Sequence, residues 1–176
     1  IAVEGEQNDK INERYAKTQL PYQPQSFPVE LMTISAEKGL KLRATVTEFG
    51  PVLLSKILGL NETQSSIMSI VFKYADDKAL PLIDLDDLKK VLQYVTDNAE
   101  GKKELADNYG SISPASLGAI LRSIVAMEQQ GATSFFGEPS FDVEDLLQTR
   151  GGKGVVNVLR VADIQNQPQL FSTFML

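Results

Sequence analysis

Apolar residues recur at helical spacing through residues 47–79, and the rest of the chain is arranged around that stretch. Ile67, Ile70, Val71 and Tyr74 follow the i, i+3, i+4, i+7 rule of an amphipathic helix, and Met68, Phe72 and Ala75 add a second apolar edge. Asn61 stands where an N-cap belongs, with Gln64 at the reciprocal position of a capping box. Upstream, residues 51–58 read as a short helix stopped at Gly59. An apolar girth this wide predicts a central rod wrapped by neighbouring elements. Downstream, Asp84 opens a helix with Asp87 in its first turn and the stripe Leu85, Leu88, Leu92, Val95. Ser113-Pro114 is a hydroxyl cap followed by a first-turn proline. Leu117, Ile120, Leu121, Ile124, Val125 and Met127 then run at helical spacing to Gln130, with Gly131 as the stop.

Strand-like patterns are confined to three short runs. Val29, Leu31 and Thr33 alternate with Glu30, Met32 and Ile34; Leu42, Ala44 and Val46 alternate with Arg43, Thr45 and Thr47. These two runs predict an antiparallel hairpin lying on the helices. Residues 155–159 are almost wholly apolar, the pattern of a strand buried on both faces of a parallel sheet, with the sheet itself missing from the chain. Residues 9–19 have helical character on a polar arm, and Pro21, Pro24 and Pro28 make an extended connector. Residues 97–110 are polar, helix-prone in patches and expected at the surface, and Asp142 caps a short helix to Leu147. The fold class expected is mainly α with a small β component (α+β), a helical bundle carrying a short β-hairpin. Residues 1–27 would be arm and connector, 28–150 a helical domain, and 151–176 a strand and a final helix cut short. The chain starts at Ile1 and stops on Phe174-Met175-Leu176 inside an apolar pattern, which predicts a fragment of a longer protein.

Composition narrows the chemistry more than it suggests any. In 176 residues there is no His and no Cys, which excludes serine triads, Cys–His pairs, His-rich zinc sites and disulfides. The formal charge of −6 makes duplex nucleic acid and anionic membrane poor partners for the average surface. No apolar run approaches a membrane span and no signal peptide is visible, so a cytoplasmic setting is expected.

The local constellations read mostly as structure. Lys153 in the 151–154 turn is followed by Gly154 rather than Ser or Thr, and the turn precedes a strand, unlike a phosphate-binding loop. Asp84, Asp86 and Asp87 lack calcium-loop spacing and read as helix-start carboxylates; Asp76-Asp77 reads as a solvated helix end. Phe135 and Phe136 are expected to pack beneath their loop rather than stack a base. Arg43, Arg150 and Arg160 are the residues to ask about a role across a subunit interface, where an arginine can stabilise phosphoryl transfer. No catalytic, cofactor-binding or metal residue is assigned.

Ten stretches in order carry a family resemblance. They include P-V-E-L at Pro28, L-R-A-T-V-T-E-F-G-P at Leu42, L-L-S-K-I-L-G-L-N-E-T-Q at Leu53 and I-V-F-K-Y-A-D-D at Ile70. They continue with L-I-D-L-D-D-L at Leu82, L-Q-Y-V-T-D-N-A at Leu92, Y-G-S-I-S-P-A-S-L-G-A-I at Tyr109, M-E-Q-Q-G at Met127, F-F-G-E-P at Phe135 and G-V-V-N-V-L-R-V-A-D at Gly154. The chain thereby resembles the HerA/FtsK-type P-loop ATPases, bacterial helicase-HerA-like proteins, over nearly its whole length. The resemblance implies a helical insertion between the Walker A and Walker B elements of a RecA-like α/β core. ATP and Mg²⁺ would belong to the parent protein and none to this fragment, which would be inactive alone. It further implies self-association through the parent's ring, DNA bound chiefly by other parts of the parent, and no membrane. The rival readings are a free-standing helical protein-protein interaction module and, more weakly, a hydrolase working with carboxylates alone.

Overall fold

The computed structural model describes residues 1–166 together with Pro168, Phe171 and Ser172. The final helix expected near the C-terminus falls mainly on residues outside that set.

The mainly α, α+β architecture expected from the periodicity is what is observed. The helices are α1 (Asp9–Thr18), α2 (Val46–Ile57), α3 (Glu62–Asp77), α4 (Leu85–Asp97), α5 (Ala99–Asn108) and α6 (Pro114–Gln129). Their starts are fixed by local side chains. Asn61 accepts from Gln64 N at 2.9 Å while Gln64 accepts from Asn61 N at 3.1 Å, which closes the capping box of α3. Asp84 and Asp87 do the same for α4, and Ser113 caps α6 ahead of Pro114. The helix expected from Pro51 is longer than the sequence suggests. Thr45 and Glu48 form a further capping box, and one helical turn precedes a kink at Gly50, whose φ of 73° and ψ of 166° are non-helical. A side chain would be strained at that φ.

α3 meets α2, α4 and α6, and Ile67, Met68, Val71, Tyr74 and Ala75 are buried between them. It is central but not wrapped: Ser66, Ser69, Lys73 and Asp76 leave a solvent-facing stripe. Leu88 and Leu92 of α4 and Ile120, Ile124 and Met127 of α6 are fully buried in the same cluster. α1 buries nothing, as befits an arm.

The β pairing differs from the expected hairpin. β1 (Val29–Thr33) lies in the middle of a parallel three-stranded sheet, between β2 (Leu40–Lys41) and, on its other side, a strand from the far end of the chain. The run at 42–47 is not a strand. Ala44 makes one bridge, to Phe136, and Val46 is already helical because the Thr45–Glu48 box starts α2 there. A separate antiparallel hairpin joins β3 (Thr149–Arg150) to β4 (Lys153–Gly154). The strand at the far end is β5 (Val156–Arg160), which pairs with β1 residue for residue from Val29↔Val156 to Thr33↔Arg160. The apolar 155–159 run is thus a parallel strand, and it finds a partner within the chain.

That strand is not buried on both faces. Met32 and Ile34 join the buried cluster, but Leu31 is 47% and Val158 39% exposed on the opposite face, flanked by half-buried Val29 and Val156. Registered parallel partners point the same way, so these four residues form one continuous apolar stripe.

Candidate functional site

The three arginines sit in different electrostatic settings. Arg150 pairs with Glu30 of β1 at 2.7 Å, and Arg160 pairs with Glu37 at 2.7 Å while donating to Lys38 O at 3.5 Å. Both charges are thereby met by carboxylates at the sheet. Arg43 is held instead by carbonyls: Nε donates to Ser134 O at 3.2 Å and Nη1 to Glu138 O at 2.8 Å. No ion pair neutralises it among the described residues. The three do not come together as one site.

Arg43 staples the Phe135–Pro139 loop to the start of α2. Ala44 N donates to Phe135 O, Gly137 N to Ala44 O and Phe141 N to Arg43 O, all between 2.9 and 3.1 Å. Gly137 has φ 138°, and a Cβ there would lie 3.3 Å from Arg43 Nη1, so the loop needs glycine at its closest approach. Phe135 and Phe136 are 3% and 2% exposed and pack edge-on against each other and against Phe49, beneath the loop as expected. Ser140 donates to Glu48 at 3.0 Å, and the Glu48 carboxyl is held below its ordinary range chiefly by the Thr45 backbone N–H. Beside the staple lies a cleft of about 210 Å³ that Arg43 shares with Asp84, Asp86, Glu128 and Glu138.

The helix-start carboxylates are occupied locally. Asp87 Oδ2 accepts from Ile83 N at 3.2 Å, and Lys89 bridges Asp86 and Glu128 at 2.7 Å each. The described residues contain no group of three or more acidic, His or Cys side chains able to hold a metal. The 151–154 turn is the tip of the β3–β4 hairpin, not a loop opening a helix.

One polar cluster escaped the sequence reading. At the C-terminal end of α3, Tyr74 Oη donates to Glu104 at 3.1 Å, Lys78 also pairs with Glu104, and Tyr109 Oη donates to Asp77 at 2.5 Å beside Lys73. Asp77 is thus more than a solvated helix end. Burial, reinforced by Glu104, pushes the Tyr74 phenol up to about 12. Lys78 and then Tyr74 hold Glu104 below its ordinary value; Lys73 and then Tyr109 do the same for Asp77. Only the Lys73–Asp77 spacing of four was visible in sequence, because the other partners lie about thirty residues apart.

The sequence model of the helicase HerA-like C-terminal family matches residues 1–176. The chain belongs to that family. No curated protein and no solved structure matches it. Helicase HerA-like proteins are generally oligomeric, DNA-associated ATPases. No helix among the described residues of this HerA-like chain is long and apolar enough to cross a membrane.

Proposed function

We propose that residues 1–176 are a non-catalytic assembly segment of a HerA-like ATPase, with residues 42–150 leaving the parent's RecA-like sheet after β2 and returning to it towards β5. The observation that carries this reading is the pairing of β1 with β5. β1, before the helical region, and β5, after it, lie side by side, in parallel and in register, with β2 on the other edge of β1. A helical region that leaves one sheet after β2 and returns to the same sheet at β5, two strands across, supports an excursion from that sheet. The bare stripe of Val29, Leu31, Val156 and Val158 supports the same reading, since parallel sheets are covered on both faces. It counts against a free-standing helical module, which would leave that stripe in water.

In this reading residues 151–176 rejoin the parent's core, and ATP hydrolysis and DNA movement belong to parts outside the chain. The helical insertion shapes contacts between subunits of a cytoplasmic ring. Arg43, whose charge no carboxylate meets, is the arginine of the three best placed to face a neighbouring subunit; Arg150 and Arg160 are already engaged. The acidic balance of −6 directs DNA to other surfaces.

Calorimetry of Mg²⁺-ATP against the 176-residue chain tests the non-catalytic part. The expected result is no turnover and no measurable heat; a Kd of roughly 1 mM or tighter overturns it.

A further inference from the structure

α5 is attached differently from every other helix of the bundle. Its sequence, AEGKKELADN, buries only Gly101 and Leu105. It leaves α4 at a one-residue corner, for Asn98 is both the C-cap of α4 and the N-cap of α5, accepting from Glu100 N at 2.9 Å and Gly101 N at 3.1 Å. It ends at Tyr109 and Gly110, the latter exposed at φ 103°. Leu105 is its single apolar anchor, beside a small cavity of about 60 Å³ shared with Val95 and Ile112.

Towards α3 the hold is polar. Glu104 takes the Tyr74 hydroxyl and the Lys78 ammonium, and Tyr109, just past the helix, gives its hydroxyl to Asp77. The rings of Tyr74 and Tyr109 meet edge-on at 6.1 Å. These contacts close α5 against one side of an open groove of about 730 Å³, lined by Tyr74, Leu80, Tyr94, Glu100, Glu104 and Asn108. Solvent-accessible ion pairs contribute little and are screened by salt, so the latch is weak, and beyond it Leu105 is the one side chain of α5 that joins the apolar core.

We propose that α5 is a latched flap. It hinges at Asn98 and Gly110, opens as a unit off the C-terminal end of α3, and uncovers Tyr74 and the groove beside it. The latch is the pair of carboxylates, Asp77 and Glu104, with the two phenols and Lys78 that they hold. Opening withdraws Leu105 from the apolar cluster and lifts Tyr109 off its edge, while the other buried side chains of α3, α4 and α6 keep their contacts with one another.

Native-state hydrogen exchange, read peptide by peptide on the 176-residue chain, tests this. Amides of 102–109 are expected to exchange at least tenfold faster than those of α4 and α6, and to speed up further as salt rises. The double variant Asp77→Asn with Glu104→Gln should accelerate 102–109 by about tenfold more and leave α6 unchanged. Exchanging the charges, Lys78→Glu with Glu104→Lys, should return part of the protection relative to Glu104→Lys alone. If 102–109 exchange at the rate of α4 and α6 at every salt concentration, the flap does not exist. If the latch variants accelerate all helices together, the cluster holds the whole fold and the proposal fails.

Discussion

The helical cluster and the three-stranded sheet use similar apolar residues to opposite ends. In the cluster, Leu88, Leu92, Ile120, Ile124 and Met127 are fully buried by other helices of the same chain. In the sheet, Met32 and Ile34 reach that cluster while Leu31, next to buried Met32, and Val158, between half-buried neighbours, stay open to solvent. A helix needs one apolar stripe covered, and three neighbouring helices supply the cover. A parallel strand needs two faces covered, and among the described residues the face carrying Leu31 and Val158 is covered only in part. The difference teaches that the helices cover one another, whereas the sheet keeps apolar side chains in solvent on one of its faces.

Substitutions can break or sharpen that contrast. The largest effect should come from Leu88→Ala in the closed cluster: a loss of about 2–5 kcal/mol in urea unfolding, since the cavity has no solvent to refill it. A loss under about 1 kcal/mol would mean the cluster is not a single packed unit. Arg43→Ala removes two charged donors from carbonyls of the Phe135–Pro139 loop, and a loss of roughly 1–3 kcal/mol is expected, with faster proteolytic cleavage around Ser140. An unchanged cleavage rate would show that the phenylalanine cluster holds the loop without the staple.

Acid acts more locally. Asp77 and Glu104 have folded pKa values below their ordinary 3.8 and 4.5, so the stabilisation they give is present above those values. It is lost as pH falls through the lower, folded values. Protection of α5 should therefore fall before that of α4 and α6 as the solution is acidified below pH 4; simultaneous loss would remove α5 from the category of independent units. The smallest effect is expected from Val158→Thr on the bare stripe, within about 0.5 kcal/mol in the isolated chain. A large loss there would show that the stripe is already covered and would erase the contrast.

Much of the helical part was legible in advance because its signals are local. Asn61 with Gln64, Asp84 with Asp87 and Ser113 before Pro114 each fix a helix start through atoms three residues apart or closer. The buried face of α4 follows from spacing alone, whereas on α6 the same spacing also took in Val125, which is 43% exposed. The arginines were less legible: nothing near Arg43 in sequence announces Ser134 and Glu138, which lie more than ninety residues on. The clasp on α5 was hidden for the same reason, since Tyr74 and Glu104 look like any tyrosine and glutamate until two helix ends meet.

By itself the sequence determined where α3, α4 and α6 start, most of their inward stripes, and that no His or Cys chemistry operates; it started α2 at Pro51 instead of Val46 and read α5 only as helix-prone patches. Those properties depend on contacts within one or two turns, or on composition. Only the tertiary structure decided that β1 pairs with β5 in parallel instead of with residues 42–47 as a hairpin. Alternation marks a run as able to pair but is silent on its partner, and here the Thr45–Glu48 capping box diverts the nearer candidate into a helix while the one more than a hundred residues away takes its place.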